Sequence, residues 1–307
     1  MFEHLVHADW GIAPGKRWHA HAERSAEGWH VGVPVPVPAS GDFLDRLFEA
    51  AAARSVLAGF DFPIGLPQAY AVRSGTPDFR SALSRFGAGE WQDFYRVAAV
   101  PEEISLRRPF YPLAAAPGTS RASLVTGLGV ARFDELLRVC ERRTATRAAA
   151  CALFWTLGPN QVGKGAIAGW REVVRPALDR GASLWPFDGS LAALASRRGL
   201  VMAEAYPAEA CSIVGASFRR TQSKRRPSDR RAKAKDILQW AQPRRIDFSP
   251  DARLALLAGF GEDRAGEDRF DAFVGLLGMI EVVDGRWPEA CEEHPDVRPW
   301  EGWILGR

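Results

Sequence analysis

The 307-residue chain is poor in cysteine, and its few thiols form no recognisable motif. Cys140, Cys151, Cys211 and Cys291 include no C-x-x-C pair. That spacing points away from a zinc ribbon and a dithiol redox centre. Unpaired-looking thiols suit a reducing compartment. The opening MFEHLVHADWG lacks an apolar signal core, and no stretch is long and apolar enough to span a bilayer. A soluble, cytoplasmic protein is the expectation. There is no G-x-S-x-G elbow for a serine nucleophile. No internal repeat occurs, and the only low-complexity feature is the Val-Pro alternation over 33–38.

The composition is that of a globular domain, with 47% hydrophobic and 25% charged residues. The net charge of +3 neither requires nor excludes a polyanionic partner. Apolar alternation predicts strands over His4–Gly11, Arg17–Glu23 and Trp29–Val37, joined as an antiparallel meander. Helical spacing of Phe43, Leu47 and Ala50 or Ala51 predicts a helix over Asp42–Ala53. The apolar run Ser55–Phe62 then reads as a buried strand lying parallel to the first. Residues 68–160 differ in texture and read as a mostly helical insertion in a single domain, with helical pieces over Asp134–Arg143 and 147–157. Beyond it come a helix Ala166–Arg180, a strand Ser183–Phe187 and a helix Leu191–Arg198. A buried strand Gly199–Tyr206 and helices Arg230–Trp240, Asp251–Ala258 and Glu267–Val283 complete the chain.

GPNQVGKG, residues 158–165, fits the skeleton of a phosphate-binding loop, G-x-x-x-x-G-K. Such a loop needs Ser or Thr after the lysine to hold magnesium, and Gly165 stands there. A glycine-rich turn opening the helix at Ala166 is the preferred reading. Lys164 and free N–H groups could still meet a phosphate there; a plain helix entry is the alternative.

Four acids lie in or beside apolar elements: Asp9 in LVHADWG, Asp61 in VLAGFDFPIGLP, Glu204 in LVMAEAYPAE and Asp271 in the helix EDRFDAFVGLLGMIEVV. A buried carboxylate is costly unless compensated. Asp268, Asp271, Gly275 and Gly278 fall near one line of that helix. The small glycines would let the helix approach the sheet and bring Asp271 to the strand ends, with Asp268 just outside. Clustered carboxylates suit Mg2+ or Mn2+, and a pair of such ions can hydrolyse a phosphodiester. Turn capping and ordinary ion pairs are the alternative for each acid singly. His7, His19, His21 and His30 cluster in the first three strands; a zinc site is conceivable, and surface positions are the simpler reading.

HADWGIAPGKRW, GFDFPIGLP, EAYPAEA and RFDAFVGLL resemble the motifs of the domain-of-unknown-function family numbered 429, over Asp9 to about Val283. That family is described as predicted nucleases. The resemblance implies an α/β ribonuclease H-like fold: a mixed sheet, with an antiparallel three-strand meander plus parallel strands, flanked by helices. It also implies a metal site of Asp9, Asp61 and Asp271, with Glu204 or Glu209 nearby.

A basic run follows Glu204: Arg219, Arg220, Lys224, Arg225, Arg226, Arg230, Arg231, Lys233 and Lys235. It would attract a phosphate backbone, with Phe218 and Trp240 as stacking candidates; a solvated loop is the plain alternative. Arg107 and Arg108 are a weaker phosphate site. The expectation is a metal-dependent nuclease. Asp9 bridges both ions, Asp61 and Asp271 each hold one, Glu204 completes the site, and Lys164, Arg108, Lys224, Arg225 and Arg226 bind nucleic acid, DNA or RNA. A non-catalytic nucleic-acid-binding module and a small-molecule phosphotransferase of actin-like kinase type are the rival readings.

Overall fold

The structure is a computed structural model and describes residues 1–143, 149–158, 162–289 and 298–307. The chain divides into two compact units: Met1–Asp61 with Ala177–Cys291 and Ile304–Arg307, and Phe62–Pro176 with Glu292–Trp303. The anticipated insertion over 68–160 thus falls within a compact unit of its own. Among the described residues no helix is long and apolar enough to cross a membrane. Cys140 and Cys211 are buried and Cys151 is half-buried; Cys291 lies outside the described residues.

The first unit opens with strands β1 (His4–Asp9), β2 (Trp18–Ser25), β3 (Gly28–Val31) and β4 (Val35–Pro36), then helix α1 (Ser40–Ala53) and β5 (Ser55–Phe60). The second unit follows with α2 (Gln68–Ser74), α3 (Phe79–Arg85), α4 (Arg121–Leu128) and α5 (Val162–Gly169). A π turn at Trp170–Val174 and α6 (Arg175–Asp179) come next. The first unit resumes with β6 (Ser183–Leu184), α7 (Leu191–Ser196), β7 (Gly199–Glu204), α8 (Pro207–Ile213), α9 (Pro227–Ala241), β8 (Ile246–Phe248), α10 (Pro250–Leu257) and α11 (Gly266–Val283). A short helix α12 (Arg298–Glu301) lies in the second unit.

The eight strands form one mixed sheet, ordered β6-β7-β5-β1-β2-β3-β8, with β4 added on β2. β1, β2 and β3 are antiparallel neighbours, whereas β5 lies parallel to both β1 and β7. Every residue of β5 is buried, as a central parallel strand covered on both faces requires. On one face α1 buries Phe43, Leu44, Leu47 and Ala51. On the other, α11 is buried from Phe270 to Val282. A helix apolar on nearly all sides belongs inside, and α11 lies against β1, β2 and α8.

Several expectations change in the structure, two of them in the local shape of strands and turns; the helix expected over Ala166–Arg180 is also broken by the π turn at Trp170–Val174. The strand foreseen over 29–37 breaks into β3 and β4, because Gly32 and Pro34 interrupt it and Pro36 has no N–H to offer a ladder. The helical piece over Asp134–Arg143 is instead two 3-10 turns, Phe133–Leu136 and Val139–Glu141. Two backbone donors at the junction of these turns find carboxylates rather than carbonyls. Arg138 N donates to Glu141 Oε2 at 3.0 Å and Val139 N to Glu301 Oε2 at 2.5 Å. Side chains that satisfy the backbone locally compete with a helical ladder.

The glycine line of α11 works as the spacing suggests at Gly275 and differently at Gly278. A Cβ at Gly275 would stand 2.2 Å from the His7 ring, whereas one at Gly278 would meet Ala210 of α8 at 2.6 Å. Gly275 therefore sets the approach of α11 to β1. Gly275→Ala is expected to lower unfolding free energy in urea titrations by about 1–3 kcal/mol, because overpacking outweighs the gain in helix propensity. Equal or greater stability in the variant would show that the approach is not limited by that contact.

Candidate active site

The parallel pairing of β1 with β5 aligns Ala8 with Phe60, so the next residues, Asp9 and Asp61, emerge side by side at the strand ends. Their side chains hydrogen-bond each other. The Trp10 N–H donates to Asp61 Oδ1 at 2.7 Å. The Arg17 guanidinium lies 4.2 Å from the centroid of the Trp10 ring and its Nε donates to Gly11 O at 2.7 Å, which braces the turn after β1. From α11, Asp271 and Asp268 add their charge to the same place.

Every acid in the group is held away from its ordinary ionisation. Burial, then the charge and hydrogen bond of Asp61, push the Asp9 carboxyl well above the usual range. Burial raises Asp61 to about 6, against the hydrogen bonds from Asp9 and the Trp10 N–H that favour its ionised form. Asp268 is raised to about 6 by burial and by the charges of Asp271 and Glu267. Burial also raises Asp271, although Lys224 opposes the shift. Two adjacent buried carboxyls of this kind titrate as one coupled pair.

Asp271 has two different oxygens. Oδ2 is bonded to the Lys224 ammonium. Oδ1 is buried and has no hydrogen-bond partner. Buried acceptors are nearly always satisfied, so an exception asks what would satisfy it.

Glu204 is brought to the sheet end and turned away. It pairs with Phe60, which shares the Ala8 face, and Phe60 contacts the Trp10 ring that packs on Phe43 of α1. His7, whose ring meets Ala272 O and Ala205 O at 3.1 Å each, marks the opposite, α11 face. Asp9 shares that face with His7, so pleat parity separates Glu204 from the acid group. Glu209, on α8, pairs with Arg307 at 3.4 Å.

The basic run divides sharply. Arg230 is buried and donates to Gly259 O and Gly261 O at 2.7 Å each, and Lys233 donates to Ser217 O at 2.7 Å. Arg225 and Arg226 are exposed, pairing with Glu267 at 3.6 Å and Asp229 at 2.7 Å. The stacking candidates are not free faces: Trp240 is buried under Arg244, and Phe218 packs on Phe270 and Lys233. Lys224 was foreseen as a phosphate ligand; its place as counter-charge of Asp271 was not, since nothing in a basic run tells which member folds inward.

Lys164 and Arg108 belong to the second unit. Arg108 pairs with Glu103 at 3.0 Å and donates to Val97 O at 3.0 Å. Lys164 sits within α5, which starts at Val162 rather than Ala166. Residues 159–161 of GPNQVGKG, and 144–148 of the helix foreseen before it, lie outside the described residues. Residues 149–158 hold a turn and the isolated bridge of Trp155 with Tyr111, not the buried strand that a phosphate-binding loop follows and not a helix. Gly163 is explained by packing, since a Cβ there would stand 2.2 Å from Leu153 O.

The histidines do not converge as a zinc site. His7 faces α11, His19 and His21 lie with His4 on the other face, and exposed His30 meets Asp247 at 3.2 Å. Compared with known proteins, the chain matches no protein-family model, no curated protein and no solved structure.

The raised acids have a definite sign in stability. Their folded pKa values exceed the unfolded value of 3.8, so their favourable contribution is complete below about pH 4 and is lost as pH rises through about 6 and beyond. Asp9→Asn removes one such group. Its melting temperature relative to wild type is expected to climb between about pH 4 and pH 8; a pH-independent difference would contradict the raised ionisation of this pair.

Proposed function

We propose that the protein is a metal-dependent phosphodiester hydrolase acting on nucleic acid through Asp9, Asp61 and Asp271, with Mg2+ or Mn2+ as its ion. The carrying observation is the hydrogen-bonded Asp9–Asp61 pair beside a buried, unpartnered Asp271 Oδ1. The donors are all oxygen, which suits hard divalent ions. Among the described residues no three His, Cys, Asp or Glu side chains already form a metal cage. An ion would therefore have to bring these carboxylates together, against the burial that disfavours their ionised forms. The arrangement of acids, on β1, just after β5 and on α11, is the one implied by the resemblance to ribonuclease H-like nucleases.

An ion held there would polarise a phosphate oxygen and lower the pKa of a bound water. The chain's own groups do the rest. The Trp10 N–H fixes Asp61 in orientation. Asp268, with a pKa of about 6, is ionised at neutral pH and can accept a proton near the reacting water. Exposed Arg219, Arg220, Arg225 and Arg226 offer charge to a phosphate backbone. Glu204 takes no part in this reading.

One observation favours the binding-module alternative: Lys224 already neutralises one oxygen of Asp271. The kinase-type alternative expects a second half-domain of the same kind, and one such sheet is present among the described residues.

The test is cleavage of labelled single-stranded, duplex and hybrid oligonucleotides with Mn2+. Asp9→Asn and Asp61→Asn are each expected to lose more than about 100-fold in rate, the equivalent of several kcal/mol of ion-supplied stabilisation. Glu204→Gln is expected to retain activity if it folds. Metal-dependent cleavage that survives Asp9→Asn would end the assignment. Salt-sensitive binding with no cleavage would install the binding module instead.

A further inference from the structure

One face of the β1–β2 ladder carries a row of histidines. The register sets His4 opposite Glu23, Val6 opposite His21 and Ala8 opposite His19, so the three imidazoles share one side of the sheet. His30 of β3 pairs with Glu23 and ends the row. Strand alternation puts His7 and Asp9 on the other side. The His4 and His21 rings stand 6.1 Å apart, edge to face, and the His19 ring lies 5.1 Å from that of Phe43 near the start of α1. A Cβ at Gly32 would come within 2.5 Å of the His21 ring, so backbone closes over that ring too.

The packing suits neutral rings. Both nitrogens of His4 and both of His19 are buried without a hydrogen-bond partner. A charged imidazole donates from both nitrogens, and neither ring meets an acceptor among the described residues. Burial, then Arg54 at the end of α1, lowers His4 to about 4; Glu23 opposes the shift and His21 adds to it. Burial, then His21, Arg46 of α1 and His4, lowers His19 to about 4. Burial also lowers His21, where Glu23 opposes and His30 and Arg54 add. The two acids nearby already have partners: Glu23 pairs with Arg54 at 3.2 Å, and Asp247 of β8 meets His30 at 3.2 Å.

The folded values lie below the ordinary 6.5. Each ring therefore costs nothing well above pH 6.5, and its penalty on the folded state grows as pH falls from there to about 4. That direction is opposite to the one set by the raised acids.

We propose that the histidine row is an acid-operated latch in the first unit. Neutral, it packs under the start of α1 through His19 and Phe43; protonated, its like charges, together with Arg46 and Arg54, drive that contact apart. The latch does not depend on the phosphodiester-hydrolase reading.

The test is hydrogen exchange of α1 amides in the full chain between about pH 7 and pH 4.5, corrected for intrinsic rates. Wild type is compared with the double variant His4→Gln/His19→Phe and with His30→Gln. Below about pH 6.5 the opening of α1 in wild type, relative to the double variant, is expected to rise about tenfold per pH unit for each of the two histidines charged. His30 is exposed and already paired, so His30→Gln is expected to follow wild type. The same pH dependence in wild type and the double variant would overturn the proposal, and so would an acid response lost in His30→Gln. Should the double variant not fold, proton NMR of wild type decides. The His4 and His19 ring resonances are expected to hold still from about pH 8 to pH 5.5, and titration of either near 6.5 would overturn the latch.

Discussion

The hydrogen bond between Asp9 and Asp61 is the constraint from which the site follows. Two buried carboxyls cannot both ionise at close range without compensation. The fold nevertheless places them together, because parallel pairing in register leaves no other exit for the residues after Ala8 and Phe60. The Trp10 N–H then holds Asp61 in place, and the braced turn around Arg17 prevents the strand ends from spreading. On the same face, the missing side chain at Gly275 admits α11 close to β1, which carries Asp271 and Asp268 toward the pair. Shifted carboxyls of this kind cluster at functional sites and occur in structural ion-pair networks as well.

The positive segment balances part of that cost. Lys224 neutralises Asp271, and Arg225 faces Glu267. Arg219, Arg220, Arg225 and Arg226 remain exposed. A single loop thus does two jobs that the basic run alone does not distinguish. Buried Arg230 and Lys233 hold the loop, and its arginines at 219, 220, 225 and 226 stay on the outside.

Much of the architecture was legible in the chain. Apolar runs located β1, β5 and β7, and helical spacing located α1 and α11 within a few residues. Strand-end position also identified Asp9 and Asp61, and the glycine line identified the approach of Asp271. What failed depended on information absent from local pattern. Glu204 sits at a strand end like the others, yet a one-residue difference in register against Phe60 sends it to the opposite face. Trp240 looked like a free stacking surface because its neighbours are charged, but α9 buries that side. The G-x-x-x-x-G-K spacing, read as a glycine-rich turn opening a helix at Ala166, gave no sign that the helix is already under way at Val162 or that Gly163 is required by a carbonyl 2.2 Å from where a Cβ would be. The 3-10 turns near Arg138 could not be foreseen, because Glu301 satisfies that backbone from 162 positions away.

The central claim is that Asp9, Asp61 and Asp271 form one ion-binding group. Anomalous diffraction from crystals soaked in Mn2+ tests it most directly. The account predicts a manganese peak in contact with carboxylate oxygens of all three. A peak elsewhere, or none while the three side chains keep their hydrogen bonds, would contradict it and leave the acids as a structural pair with a lysine counter-charge.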